Sequence, residues 1–208
     1  MTSEKVQIGD SRTRILDVAE GLFMESGYRA VSIRDIAQAC DVTNAALYYY
    51  FPNKAALFRE VLERYAGRFQ DQLRDAIDPA SSTREQSRAV LKRFASLLSS
   101  REAPIFSARR ELKELQDPKE ARRIYYSVLE PLDDVLRKAI ARGELKAIPE
   151  EYSPAALLFG IMHGLTMHSK FREHQELTAE QVDAVVDLAI QVFWDGLKQK
   201  EYENFQEG

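Results

Sequence analysis

The chain has 208 residues, 45% hydrophobic and 30% charged, with a formal net charge of −4. That excludes a disordered tail and supplies a sizeable core. One cysteine, Cys40, excludes an internal disulfide framework. No apolar run approaches the roughly 18–20 residues of a membrane span. The opening "MTSEKVQIGDSRTR" lacks the apolar stretch of a signal peptide, so the expected location is cytoplasmic and no membrane partner is expected.

The periodicity is helical almost throughout, and no alternating strand pattern stands out. Ile15, Ala19, Leu22 and Phe23 form one apolar stripe, stopped by Gly27. Ser32-Ile-Arg-Asp35 starts a second helix with a capping-box pattern, which must end near Cys40–Asp41. Thr43 caps a third, Pro52 stops it, and Asn53 caps a fourth carrying Leu57, Val61, Tyr65, Phe69, Leu73 and Ile77. Asp78-Pro-Ala-Ser-Ser is the clearest break. Beyond it, Thr83-x-x-Gln86 starts a helix, and Pro104 opens a short one ending near Gln116. Asp117-Pro118-x-Glu120 opens a long one that ends at Gly143 and bends at Pro131. Ser153-Pro154 and Thr178-x-x-Gln181 open the last two. The expectation is an all-α chain of about nine helices. Its parts are a three-helix domain over residues 1–53, a connector helix over 54–78, and a helical domain over 79–208.

The acidic balance does not advertise a nucleic-acid binder. Locally, though, Arg29, Arg34, Lys54 and Arg59 face only Asp35 and Asp41 between Ser26 and Arg59. The run Tyr48-Tyr49-Tyr50-Phe51 cannot all face one core, because helical neighbours point about 100° apart. Two short helices joined by a tight turn, "SIRDIAQACDVTNAALYYYF", fit a helix-turn-helix, whose second helix enters the major groove. Thr43 then lies near phosphate, Asn44 can read adenine bidentately, and Ala45 and Ala46 are small enough for close approach or inward packing. Leu47 and Phe51, four apart, face the core. Tyr48 and Tyr49 face out, where a hydroxyl can donate to phosphate. Tyr50 packs against the first helix, and Lys54 holds a second phosphate.

These residues carry a resemblance. "GYRAVSIRDIAQACDVTNAALYYYFPNKAALF" resembles the N-terminal domain of the tetracycline-repressor (TetR) family of bacterial transcriptional regulators. The match runs from about Arg12 to Phe58, on Gly27-Tyr28, the Ser32–Ala37 helix, Leu47-Tyr48-x-Tyr50-Phe51 and Lys54. The resemblance implies an all-α homodimer with an N-terminal helix-turn-helix and a C-terminal effector-binding and dimerisation domain. It carries DNA contacts to Ser32, Arg34, Thr43, Asn44, Ala45, Tyr48, Tyr49 and Lys54. The family commonly has glycine where this chain has Asp41 and Ala45, and lysine where it has Asn44.

Plainer roles compete with these. Arg34 can pair with Asp35 or Glu25, and Cys40 fills space as a small buried residue. His163 and His168 are five apart, roughly 140° around a helix, so they do not share a metal; His163 reads as a core or pocket histidine. No metal site, cofactor or catalytic residue is expected, since phosphate loops, nucleophile elbows and ligand motifs are missing from the sequence. The resulting function is a sequence-specific DNA-binding regulator, a repressor released from an inverted-repeat operator by a small, largely apolar effector. Phe94, Leu98, Phe106, Tyr125, Phe159, His163 and Met167 are the expected pocket. The expected dimer contact lies on the last two helices: Leu157, Leu158, Ile161 and Leu165, then Val182, Val185, Val186, Ala189 and Phe193. The alternative is an effector-independent structural or cell-division factor of the same fold.

Overall fold

A computed structural model describes residues 3–99, 115, 117–173 and 177–198, with side chains for 11–97, 115, 117–168 and 177–198. Among the described residues there are nine helices and no strand. They are α1 (Ser3–Ser26), α2 (Ile33–Ala39), α3 (Asn44–Tyr50), α4 (Lys54–Arg74), α5 (Thr83–Ser99), α6 (Pro118–Ser127), α7 (Glu130–Ala141), α8 (Pro154–Glu173) and α9 (Ala179–Leu197). The expected short helix between Pro104 and Gln116 lies outside the described residues, as does His174.

The chain divides into two compact units. One comprises Met1–Phe69 and Leu97–Val128; the other comprises Gln70–Ser96 and Leu129–Gly208. In the first unit the expected stripes meet. Ile15, Ala19 and Phe23 of α1 are buried with Ile36, Leu47, Phe51 and Leu57. Ion pairs fasten α4 on two sides. Arg12–Glu60, Arg64–Asp17 and Arg68–Glu20 tie it to α1, and Arg123–Glu63 and Arg59–Glu120 tie it to α6. Partly exposed pairs of this kind contribute little each, but they fix the register of neighbouring helices.

In the second unit α8 packs on α7 and α9. Leu132, Leu136, Leu158, Val186, Ala189 and Phe193 are among its buried side chains. Asp133 of α7 fixes the start of α8, accepting from the Ser153 hydroxyl at 2.6 Å and the Ala155 N–H at 3.1 Å. Arg88 and Lys92 of α5 pair with Asp187 and Asp183 of α9.

Three expectations are corrected. The long helix bent at Pro131 is two helices, α6 and α7, separated at Val128–Leu129. Proline has no N–H, and its ring clashes with the carbonyl four residues back, so the helix stops and restarts with Pro131 in its first turn. The cap of α5 is one residue earlier than Thr83-x-x-Gln86 suggests. The Ser82 N–H donates to Glu85 Oε2 at 2.9 Å and the Glu85 N–H to Ser82 Oγ at 3.3 Å, while the Gln86 amide ties back to the carbonyls of Asp78 and Ser81. The expected dimer patch also divides. Leu158, Val186, Ala189 and Phe193 belong to the unit's own core, whereas Leu188 and Val192, which periodicity does not single out, are exposed, as is Leu157.

Candidate nucleic-acid interface

The interface starts with three caps. Ser32 opens α2 with a reciprocal box: its Oγ accepts from the Asp35 N–H at 3.2 Å, and the Asp35 carboxylate accepts from the Ser32 N–H at 2.8 Å. The short aspartate takes the place usually given to glutamate. These bonds, side chain first and backbone second, hold the Asp35 carboxyl below its ordinary value, with smaller help from the Arg34 and Lys54 charges. Thr43 opens α3, its Oγ1 accepting from the Ala46 N–H at 3.1 Å. Asn53 opens α4, its Oδ1 accepting from the Ala56 N–H at 2.8 Å. A capping hydroxyl accepts, so the protons of Ser32 and Thr43 can be donated to a phosphate oxygen.

The turn between α2 and α3 is a Schellman motif. The Val42 N–H donates to the Ala37 carbonyl at 2.9 Å and the Asp41 N–H to the Gln38 carbonyl at 3.1 Å. This closure puts Asp41 at φ 54°, in the left-handed region. The position therefore suits glycine, and aspartate is among the few other residues that tolerate it. Cys40 caps α2 and is buried. Burial pushes its thiol above the ordinary value, against the pull of the Arg14 charge, so the thiol stays protonated and inert.

Leu47 and Phe51 anchor α3 with no exposure. The opposite face presents Asn44, Ala45, Tyr48 and Tyr49, while Ala46 is half-buried. Tyr48 is 50% exposed and Tyr49 77%. Tyr50 is half-buried, with its ring edge-on to Tyr49 at 5.3 Å. Arg34 is exposed on α2. The Lys54 ammonium lies 4.1 Å from the centre of the Tyr28 ring.

Of the expected pocket residues, three meet within the second unit. Phe94 and Phe159 meet edge-on at 5.0 Å in the second unit, and the His163 ring stacks on Phe159 at 5.9 Å. His163 is exposed, which overturns its core reading. Gly160, three residues earlier on α8, and the adjacent Gly164 are exposed as well. Met167 is half-buried. Tyr125 belongs to the first unit, where its ring meets Tyr126 at 5.3 Å. The Leu98 side chain and Phe106 lie outside the described residues. Among the described residues no group of three His, Cys, Asp or Glu is placed to hold a metal. No helix among them is long and apolar enough to cross a membrane.

Two seven-residue helices, a closed turn between them, and an outward row of hydrogen-bonding side chains on the second define a helix-turn-helix DNA-binding protein. Residues 15–61 match the family described as bacterial regulatory proteins, tetR family. Over that stretch the chain is similar to this family, and the relatives it matches are named transcriptional repressors and regulators. The HTH-type transcriptional repressor KstR2 of Rhodococcus jostii is 41% identical over 54 residues, about a quarter (26%) of each protein. The chain also resembles a solved structure of the Flavonoid-responsive Regulator FrrA, with a TM-score of 0.73 and 22% identity, covering 93% of this chain and 100% of that one. The transcriptional regulator FadR from Bacillus subtilis, solved in complex with stearoyl-CoA, gives a TM-score of 0.64 at 22% identity, covering 89% and 98%. At such identity the two structures establish the fold, an N-terminal helix-turn-helix followed by a helical C-terminal domain.

Proposed function

We propose that the protein is a cytoplasmic, ligand-responsive repressor that binds an inverted-repeat operator as a homodimer. The observation that carries this reading is the outward face of α3, Asn44, Ala45, Tyr48 and Tyr49, held by the buried Leu47 and Phe51. Asn44 reads a base edge, while Tyr48, Tyr49, Ser32, Arg34, Thr43 and Lys54 contact the backbone and set the register. In functional terms, residues 1–53 bind DNA, 54–78 connect, and 79–208 dimerise and receive the effector. Selection of random duplexes by the purified protein, followed by sequencing, tests this. The expected result is one short two-fold repeat with half-sites a helical turn of about 34–36 Å or more apart. Recovery of no preferred sequence would overturn it.

Dimerisation through α8 and α9 is supported by a corrected face. Leu157, Leu188 and Val192 are exposed at 43%, 46% and 49%, and a Cβ added at Gly160, Gly164 or Gly196 would meet nothing within 4 Å. A two-fold contact covers the same patch on both copies. For the effector, the aromatic group Phe94, Phe159 and His163 supports a largely apolar ligand. The flavonoid response named for FrrA and the stearoyl-CoA bound to FadR each involve a ligand with a large apolar part, fused rings in one and an acyl chain in the other. Melting of the protein with flavonoids and long-chain acyl-CoA thioesters checks this. A ligand that raises Tm should also release the selected operator, and no shift with any of them favours the effector-independent alternative.

A further inference from the structure

Lysine is a poor choice for a fixed contact. Its four-carbon stem is flexible, and its compact charge is strongly hydrated. Lys54 is also the first residue of α4, where the helix dipole disfavours a cation. An ammonium in that place needs something to hold it.

The sequence around Gly27 provides the hold. Gly27 has φ 80°, and its N–H donates to the Phe23 carbonyl at 2.9 Å, closing α1. The chain then turns so that Tyr28 lands on an aromatic base. Its ring centre is 4.5 Å from Phe58 and 5.8 Å from Phe23, which meet edge-on at 5.1 Å. Phe23 and Phe58 are fully buried, so the base is rigid. Lys54 and Phe58 are four apart on α4 and share a face. The ring that rests on Phe58 therefore meets the lysine head, with the ammonium 4.1 Å from its centre. A cation so close to a ring face is attracted by the ring quadrupole.

We propose that Tyr28 is a positioning residue for DNA binding: its ring holds the Lys54 ammonium in place before the duplex arrives, so that Lys54 meets a backbone phosphate already ordered. The proposal rests on the DNA-binding reading above. Ordering a flexible side chain in advance raises affinity without adding a contact. The ring never touches DNA; all of its effect passes through the lysine. The aromatic face is what matters, and the hydroxyl is dispensable.

The test uses the full chain and duplexes recovered by selection with the wild-type protein. Lys54→Ala should lower the slope of log K against log salt by about 0.9 per subunit, the mark of one lost phosphate contact. Tyr28→Leu should weaken binding about threefold or more and reduce the same slope in part, with Tyr28→Phe restoring both. In the Lys54→Ala background, Tyr28→Leu should cost nothing further. If Tyr28→Leu does not fold, position 28 is filled with phenylalanine bearing increasing ring fluorination. This flattens the quadrupole at nearly constant shape, and affinity should fall stepwise. An equal cost of Tyr28→Leu with and without Lys54, or affinity indifferent to fluorination, would overturn the proposal. Failure of the selection itself would strike the DNA-binding reading instead.

Discussion

Two of the regions that leave large apolar side chains in the open do so differently. On α3 the exposed residues are Tyr48 and Tyr49; on α8 and α9 they are Leu157, Leu188 and Val192. A tyrosine ends in a hydroxyl that can donate to a charged oxygen, so its exposure suits a polar, anionic partner. An aliphatic side chain has no such end, so a cluster of them suits an apolar surface. In the function proposed above, the first region meets a backbone of phosphates and the second meets its own copy.

The strongest way to break this contrast is to put a charge on the second region. Leu188→Arg should convert the dimer to monomers in sedimentation and weaken operator binding about 100-fold or more, since the two half-sites then bind without avidity. Val186→Arg should instead give insoluble protein, because Val186 is fully buried in the unit's own core. On the first region, Asn44→Ala should cost about 1–3 kcal/mol and relax preference at one base position. Tyr48→Ala should weaken all sequences alike, visible as a uniform shift in a binding array. Gly164→Ala sharpens the contrast by giving two signs. The isolated chain should gain about 1 kcal/mol of helix stability, since the added Cβ meets nothing within 4 Å, while the dimer dissociates at higher concentration.

Smaller effects belong to the turn and to a surface ion pair. Asp41→Gly should stabilise the protein by about 1 kcal/mol in urea unfolding by relieving the left-handed backbone. It should also tighten DNA binding, most at low salt, by removing a negative charge. The smallest effect concerns Asp187 beside the α9 face. Its carboxyl is held below the ordinary value of 3.8, first by its hydrogen bond from Arg88 and then by the Arg88 and Lys92 charges. A depressed folded value means stability present above 3.8 and lost as pH falls through the folded value. The difference in urea midpoint between the protein and Asp187→Asn should therefore shrink below 3.8, from a small start because the pair is exposed.

The helix ends are legible in the sequence because their signals are local. Ser32, Thr43, Asn53, Thr178 and Gly143 act within a few residues of themselves, and each terminus stands where its residue says. The outward tyrosines follow from spacing alone. The C-terminal face is harder to read for a physical reason. In α9 the stripe of Val186, Ala189 and Phe193 and the stripe of Leu188 and Val192 are both apolar. Periodicity picks out the first stripe but does not say which of the two faces the unit's own core. Pro131 reads as a bend because a missing N–H costs one bond in either case; the choice between bending and restarting depends on how the next turns pack in space. The Tyr28–Lys54 contact joins residues 26 apart, and nothing in local spacing announces it.

The restart at Val128–Leu129 has a consequence for cooperativity. The chain passes between its two compact units within α4, within α5 and at this break. A continuous helix transmits opening along its ladder of bonds, whereas a stop and restart lets each side open alone. Native-state hydrogen exchange should therefore sort the amides of α6 with those of α1–α3, and the amides of α7 with those of α8 and α9. Two neighbouring helices, separated by two residues, would report two different free energies of opening.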